Sequence, residues 1–173
     1  MSVDMSKWCE LAKANIHKRP AGEGRMAGKI CIVTGAAQGF GKGIAEELYK
    51  EGATIVIADM NEPLAKQVAE EMGERAVAIA VNVYDEESVA AMVGKTVELF
   101  GGLDLMLSNA GVVRSGPLAQ VEKKDFEFVT NINYTGYFLC AKYAAIIMQA
   151  QHEADPEAMF DIVTLNSKSG LEG

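Results

Sequence analysis

The chain has 173 residues, 49% of them apolar, enough for one domain with a substantial core and short of two. Its net charge of −8 is uneven: residues 1–30 hold six Lys and Arg against three acids, and the remainder holds ten against twenty-one. An acidic body argues against a nucleic-acid surface, and no apolar run approaches the roughly 18 residues of a membrane span.

The N-terminus lacks a signal peptide's apolar stretch and cleavage site. Cys9, Cys31, Cys140 and the two histidines show no metal-ligand spacing. A cytoplasmic protein with reduced thiols and no metal is therefore expected. Residues 5–18 put Met5, Trp8, Leu11, Ala12 and Ile16 on one helical stripe, and Arg19-Pro20-Ala21-Gly22-Glu23-Gly24 reads as a linker. Residues 1–25 are thus expected to be an appended helix and linker, packed on the body or on a partner, with the main domain spanning 26–173.

That domain opens on Ile30-Cys-Ile-Val-Thr34-Gly35-Ala-Ala-Gln38-Gly39-Phe40-Gly41. A short apolar run stops at Thr34-Gly35, the glycines follow at 35, 39 and 41, and helical spacing resumes at Ile44. The pattern predicts a buried strand, a tight turn and the start of a helix. Such a turn aims backbone N–H groups and the positive end of a helix at one point, which suits a pyrophosphate. The next strand, Thr54-Ile-Val-Ile-Ala-Asp59, ends in an acid 24 residues after Gly35, where a dinucleotide site places the carboxylate that receives ribose hydroxyls. Neither Met60 nor Gln38 offers a cation for a 2′-phosphate, so the pair favours NAD over NADP.

Further on, the pattern keeps alternating. Strands are expected near 30–34, 54–59, 76–81, 103–108 and 161–166, with helices near 41–51, 62–72, 85–100 and 122–149. Strands separated by crossover helices imply an α/β fold, a Rossmann-type doubly wound parallel sheet with helices on both faces.

From about residue 26 onward, Thr34-Gly35-x-x-x-Gly39-x-Gly41, Asn82-Val83 and Ser108-Asn109-Ala110-Gly111 together resemble motifs of the short-chain dehydrogenases/reductases. The resemblance implies that Asn109, Ala110 and Gly111 brace the central sheet beside the cofactor. It also implies that Asn82, where the family often has Asp, meets the adenine amino group, with Val83 beside it. Asn131-Ile-Asn133-Tyr-Thr-Gly136-Tyr-Phe resembles the family's Asn-x-x-Gly-x-Phe helix segment, which would make Asn133 the holder of a proton-relay water. Ile162-Val-Thr-Leu-Asn166-Ser167-Lys168-Ser169-Gly170 resembles the fifth strand and serine loop. There Ser167 would hydrogen-bond the substrate oxygen, and Lys168 would be either a phosphate contact or an exposed loop lysine.

Gly136-Tyr-Phe-Leu-Cys-Ala141 and Asn166-Ser-Lys-Ser-Gly170 are further similar to sugar-alcohol dehydrogenases of the sorbitol-6-phosphate type. A polyol or sugar-phosphate substrate is the implied expectation. The family's general acid is a Tyr with a Lys four residues later. Tyr49, Tyr84, Tyr134, Tyr137 and Tyr143 are followed at that spacing by Ala53, Ser88, Phe138, Ala141 and Ile147. The expectation is a fold truncated after its fifth strand and without the Tyr-Lys pair, inactive alone. It would carry an exposed sheet edge that a second copy or a complementing C-terminal chain could cover. A non-catalytic dinucleotide- or partner-binding subunit, or one half of a split enzyme, is the alternative.

Overall fold

The computed structural model describes residues 3–19 and 23–167. Lys168 and the linker residues Pro20, Ala21 and Gly22 lie outside the described residues.

Five strands, β1 (Ile30–Thr34), β2 (Thr54–Asp59), β3 (Ala76–Ala80), β4 (Leu105–Ser108) and β5 (Asp161–Thr164), form one parallel sheet in the order β3-β2-β1-β4-β5. The chain winds outward from β1 to β3, then jumps back across β1 to β4. The order therefore reverses between β1 and β4, and in open α/β sheets such a switch point opens a crevice at the carboxyl ends of the strands.

β1 and β2 are buried almost end to end, as a strand covered on both faces must be. Their side chains alternate between two cores. Ile32, Val56, Ala58 and Met106 face the helices α4 (Glu86–Phe100) and α6 (Gly136–Ala154). Cys31, Val33, Ile55, Ile57, Leu105 and Leu107 face α2 (Gly39–Lys50) and α3 (Glu62–Met72). The alternation is the two-residue period of a strand serving both layers at once. Burial pushes the Cys31 and Cys140 thiols up to about 12, so both are inert apolar side chains at neutral pH.

The first helix, α1 (Ser6–Asn15), packs on the α4/α6 face. Met5 and Ala12 join that core, and Trp8 lies flat over Gly94 of α4, where a β-carbon would stand 2.3 Å from its ring. Trp8 Nε1 donates to Glu98 at 2.9 Å, the Val3 N–H donates to the Tyr143 hydroxyl at 3.3 Å, and Lys13 pairs with Glu153 at 3.0 Å. These bonds tie the helix to the body.

The long helix expected over 122–149 is in fact three pieces. α5 (Lys123–Thr130) runs into a π-helical segment, Asn131–Thr135, and then α6, which continues to Ala154. Within the π segment the Gly136 N–H reaches back to Asn131 O, a five-residue span. In the same segment the Asn133 side chain bonds the backbone of Val112. Pattern-based boundaries also shift at β4, which starts at Leu105, and at β5, which ends at Thr164. A short 3₁₀ turn at Leu118–Gln120 had no periodic signal.

Candidate dinucleotide site

The glycine-rich turn lies at the carboxyl end of β1, against the ends of β2 and β4. Gly39 has φ +60, the left-handed region that glycine enters without strain, and nothing stands within 4 Å of where its β-carbon would be. Gly41 is glycine for the opposite reason: a β-carbon there would fall 2.3 Å from Gly35 O and 2.4 Å from Asn109 Nδ2. That absence lets α2 start directly against the turn. Gln38, the N-cap of α2, makes no side-chain cap hydrogen bond. The first-turn N–H groups of α2 therefore keep their usual need for an acceptor at that end.

Asn109 braces the turn from the β4 side. Its Nδ2 donates to Thr34 O at 2.9 Å and to Gly35 O at 3.2 Å. Thr34 Oγ1 answers by accepting the N–H groups of Asn109 at 3.0 Å and Ala110 at 3.1 Å. Four hydrogen bonds thus lock the end of β1 to the end of β4, each contributing about 1 kcal/mol.

Asp59 braces it from the β2 side. Oδ2 accepts the Ala37 N–H at 3.0 Å, and Oδ1 accepts the Asn61 N–H at 2.9 Å. Each carboxylate oxygen keeps further lone pairs for an incoming hydroxyl.

Gly35, Gln38, Gly39, Phe40, Asp59 and Met60 line a cleft of 540 Å³. Asn82, Val83, Tyr84, Asn109, Ala110, Gly111, Val112, Phe128 and Ile132 complete its lining. This brings together the residues expected from the sequence at the phosphate, ribose and adenine positions. Among the described residues, the side chains lining the cleft include one carboxylate and no Lys or Arg. A larger groove of 590 Å³ lies along the outer face of α2 beside Arg25, Ile44 and Leu48. Its surface is mainly apolar, and the charged side chains in its lining include Arg25 and Glu51, which are paired with each other.

A dinucleotide fits the cleft on a further observation. Asn82 Oδ1 is buried and has no hydrogen-bond partner, a state that costs about 1–3 kcal/mol unless a ligand donor fills it. The adenine amino group is a donor of the right kind, and the neutral amide supplies the acceptor that Asp supplies in the resembling motif.

Asn133 projects from the π segment, and its amide pairs with one residue at both ends. Oδ1 accepts the Val112 N–H at 2.8 Å and Nδ2 donates to Val112 O at 2.9 Å. This locks the strand-to-loop exit of β4 onto the helix beside Gly111. The sequence marked Asn133 but carried no sign of this pairing, because the partner is 21 residues away in an irregular loop. Ser167 lies three residues past β5 and is exposed, on the same carboxyl edge of the sheet as the glycine-rich turn.

A short chain dehydrogenase family model matches residues 29–173. Among curated proteins, the chain is 35% identical over 86% of its length to tropinone reductase-like 2 of Erythroxylum coca. It is 38% identical over 71% of its length to the 2,5-dichloro-2,5-cyclohexadiene-1,4-diol dehydrogenase of Sphingobium indicum. The chain spans about half the length of these relatives, 55% and 50% respectively. Among solved structures, 3-ketoacyl-(acyl-carrier-protein) reductase of Brucella melitensis, complexed with NADH, superposes with TM-score 0.78 at 30% identity over 82% of this chain and 58% of that one. A short chain dehydrogenase/reductase of Burkholderia phymatum in complex with NAD gives the same score and identity over 84% and 51%. With the family model covering most of the chain and these relatives beside it, the chain belongs to the short chain dehydrogenase family.

Proposed function

We propose that this chain forms the NAD(H)-binding part of an oxidoreductase that interconverts a secondary alcohol and its carbonyl compound. The observation that carries the reading is the Asp59 carboxylate in the lining of a cleft that, among the described residues, no Lys or Arg lines. A carboxylate there accepts the adenosine ribose hydroxyls and repels a 2′-phosphate. The bound nicotinamide supplies or accepts the hydride.

The chain's own residues orient and polarise. The Asn109 brace and the N-terminus of α2 hold the pyrophosphate turn in shape. Asn133 fixes the Val112 loop beside the reacting end and keeps the relay water there. Ser167 donates to the substrate oxygen. No tyrosine of the 173 residues is followed four positions later by lysine, so in this reading the general acid comes from another segment or chain.

For the substrate we propose a polyol or sugar-phosphate alcohol such as sorbitol 6-phosphate, resting on Asn166-Ser167-Lys168-Ser169-Gly170, with Lys168 as a point charge for the phosphate. A cyclic secondary alcohol is the second reading. It is favoured by the names of relatives that include a cyclohexadienediol dehydrogenase and the (+)-borneol dehydrogenase 1 of Salvia officinalis. The test is NADH formation with a panel of polyol phosphates and cyclic alcohols. It is run on this chain alone and on this chain combined with a C-terminal polypeptide bearing Tyr-x-x-x-Lys. Turnover is expected only for the combination, since a positioned proton donor contributes 10²–10⁴-fold. Robust turnover by the 173 residues alone would contradict the assignment of the missing acid.

A further inference from the structure

Asp59 does more in this structure than wait for a ribose. Its two carboxylate oxygens are each engaged by a different backbone segment. Oδ2 takes the N–H of Ala37, inside the glycine-rich turn, and Oδ1 takes the N–H of Asn61, at the threshold of α3. Asn61 in turn caps α3 through its own side chain, accepting the Leu64 N–H at 3.3 Å. One carboxylate thus clips the turn after β1 to the turn after β2.

The clip sits at the part of the turn that needs it. Ala37 lies between Gly35 at φ +65 and Gly39 at φ +60, two residues whose freedom makes the unligated turn costly to hold in one conformation. Asn109 restrains only its Gly35 end. The Gly35 N–H bonds Ala58 O at 2.8 Å, and α2 begins its own ladder with Lys42 N to Gln38 O. The Ala37 bond to Asp59 restrains the segment between those two anchors.

We propose that Asp59 is a positioning residue for the pyrophosphate cradle as well as a ribose contact, so that removing it weakens binding of phosphate groups that never touch it. This rests on the dinucleotide reading above. It reverses a simple electrostatic expectation: deleting a carboxylate beside an anion site relieves repulsion and should tighten anion binding. A positioning role gives the opposite sign.

The probe is inorganic pyrophosphate, which has neither ribose nor adenine. Calorimetry on the 173-residue chain compares wild type, Asp59→Ala and Asp59→Asn for NAD and for pyrophosphate, with circular dichroism confirming the fold. Loss of a charge-assisted hydrogen bond should weaken pyrophosphate at least about tenfold in Asp59→Ala. Asp59→Asn should lose less, because one amide oxygen can still accept one of the two N–H groups. Amide exchange at Ala37, followed by NMR without any ligand, should quicken in Asp59→Ala. Pyrophosphate affinity that is unchanged or tighter in Asp59→Ala, or Ala37 exchange as slow as in wild type, would overturn the proposal. The exchange arm stands even if wild type binds no NAD, so failure of the clip and failure of the dinucleotide reading are told apart.

Discussion

At the scale of single residues, the site is a set of backbone shapes held by a few side chains. Gly39 shows this most simply. Gly39 lines the cleft and its β-carbon position has nothing within 4 Å, so the unligated protein has room for a side chain there, and a pyrophosphate on the turn would compete with it for that space. Gly39→Val should therefore abolish NAD binding while the domain remains folded. A valine at positive φ costs on the order of 1–2 kcal/mol, small beside the roughly 5–15 kcal/mol stability of a domain. Calorimetry paired with circular dichroism checks it, and unchanged affinity in a folded variant would reduce the turn to a connector. The glycines and Asp59 were legible in the sequence because their spacing is set by chain geometry over a single βαβ unit. The Asp59–Ala37 bond and the Asn133–Val112 pair were not. Each joins a side chain to the backbone of an irregular segment, where no periodicity predicts a partner.

At the scale of elements, strands were easier to read than helices. The runs Ile30–Thr34 and Thr54–Asp59 are buried on both faces and leave a short, nearly continuous apolar signal. The span 122–149 reads as one helix, because a π turn changes the hydrogen-bond span without a proline to announce it, although the weak helix formers Thr130-Asn-Ile-Asn-Tyr-Thr-Gly136 mark the place. The placement of α1 was half visible: its apolar stripe was plain, but its seat was open between the body and a partner. A signal for the seat did exist in Gly94, a glycine inside the otherwise strong helix α4, where it costs about 1 kcal/mol relative to Ala. The structure supplies the reason in the Trp8 ring, 2.3 Å from any β-carbon at that place.

Gly94→Ala sets two effects against each other. The helix gains up to about 1 kcal/mol in propensity, while forcing a methyl into a filled contact costs about 1–3 kcal/mol. Packing should win. Trp8 is the sole tryptophan, so its fluorescence reports the outcome directly. Emission should shift to longer wavelength as the ring leaves α4, and the melting temperature should fall. A variant with unshifted emission and higher melting temperature would mean that α1 yields without loss.

At the scale of the whole molecule, the strand order β3-β2-β1-β4-β5 converts a linear sequence into one crevice, because the glycine-rich turn, Asp59, Asn82 and Asn109 all sit at or just past the carboxyl ends of strands. The same order leaves β5 at an edge, with Ile162, Val163 and Leu165 each about two-fifths exposed. Phe126, Tyr134 and Phe138 stand out along α5, the π segment and α6. An open parallel edge beside exposed aromatics is a surface that favours association. In the proposed reading the turn, the Asp59 carboxylate, the Asn82 amide and the β4 brace all come from residues 34–111.

The central claim is that this cleft selects NAD(H) through Asp59, and titration calorimetry of the purified chain with NADH and NADPH tests it most directly. The account predicts clearly tighter binding of NADH, by tenfold or more if a charge-assisted bond is exchanged for repulsion, about 1.4 kcal/mol per decade. Equal affinities, or tighter binding of NADPH, would contradict it.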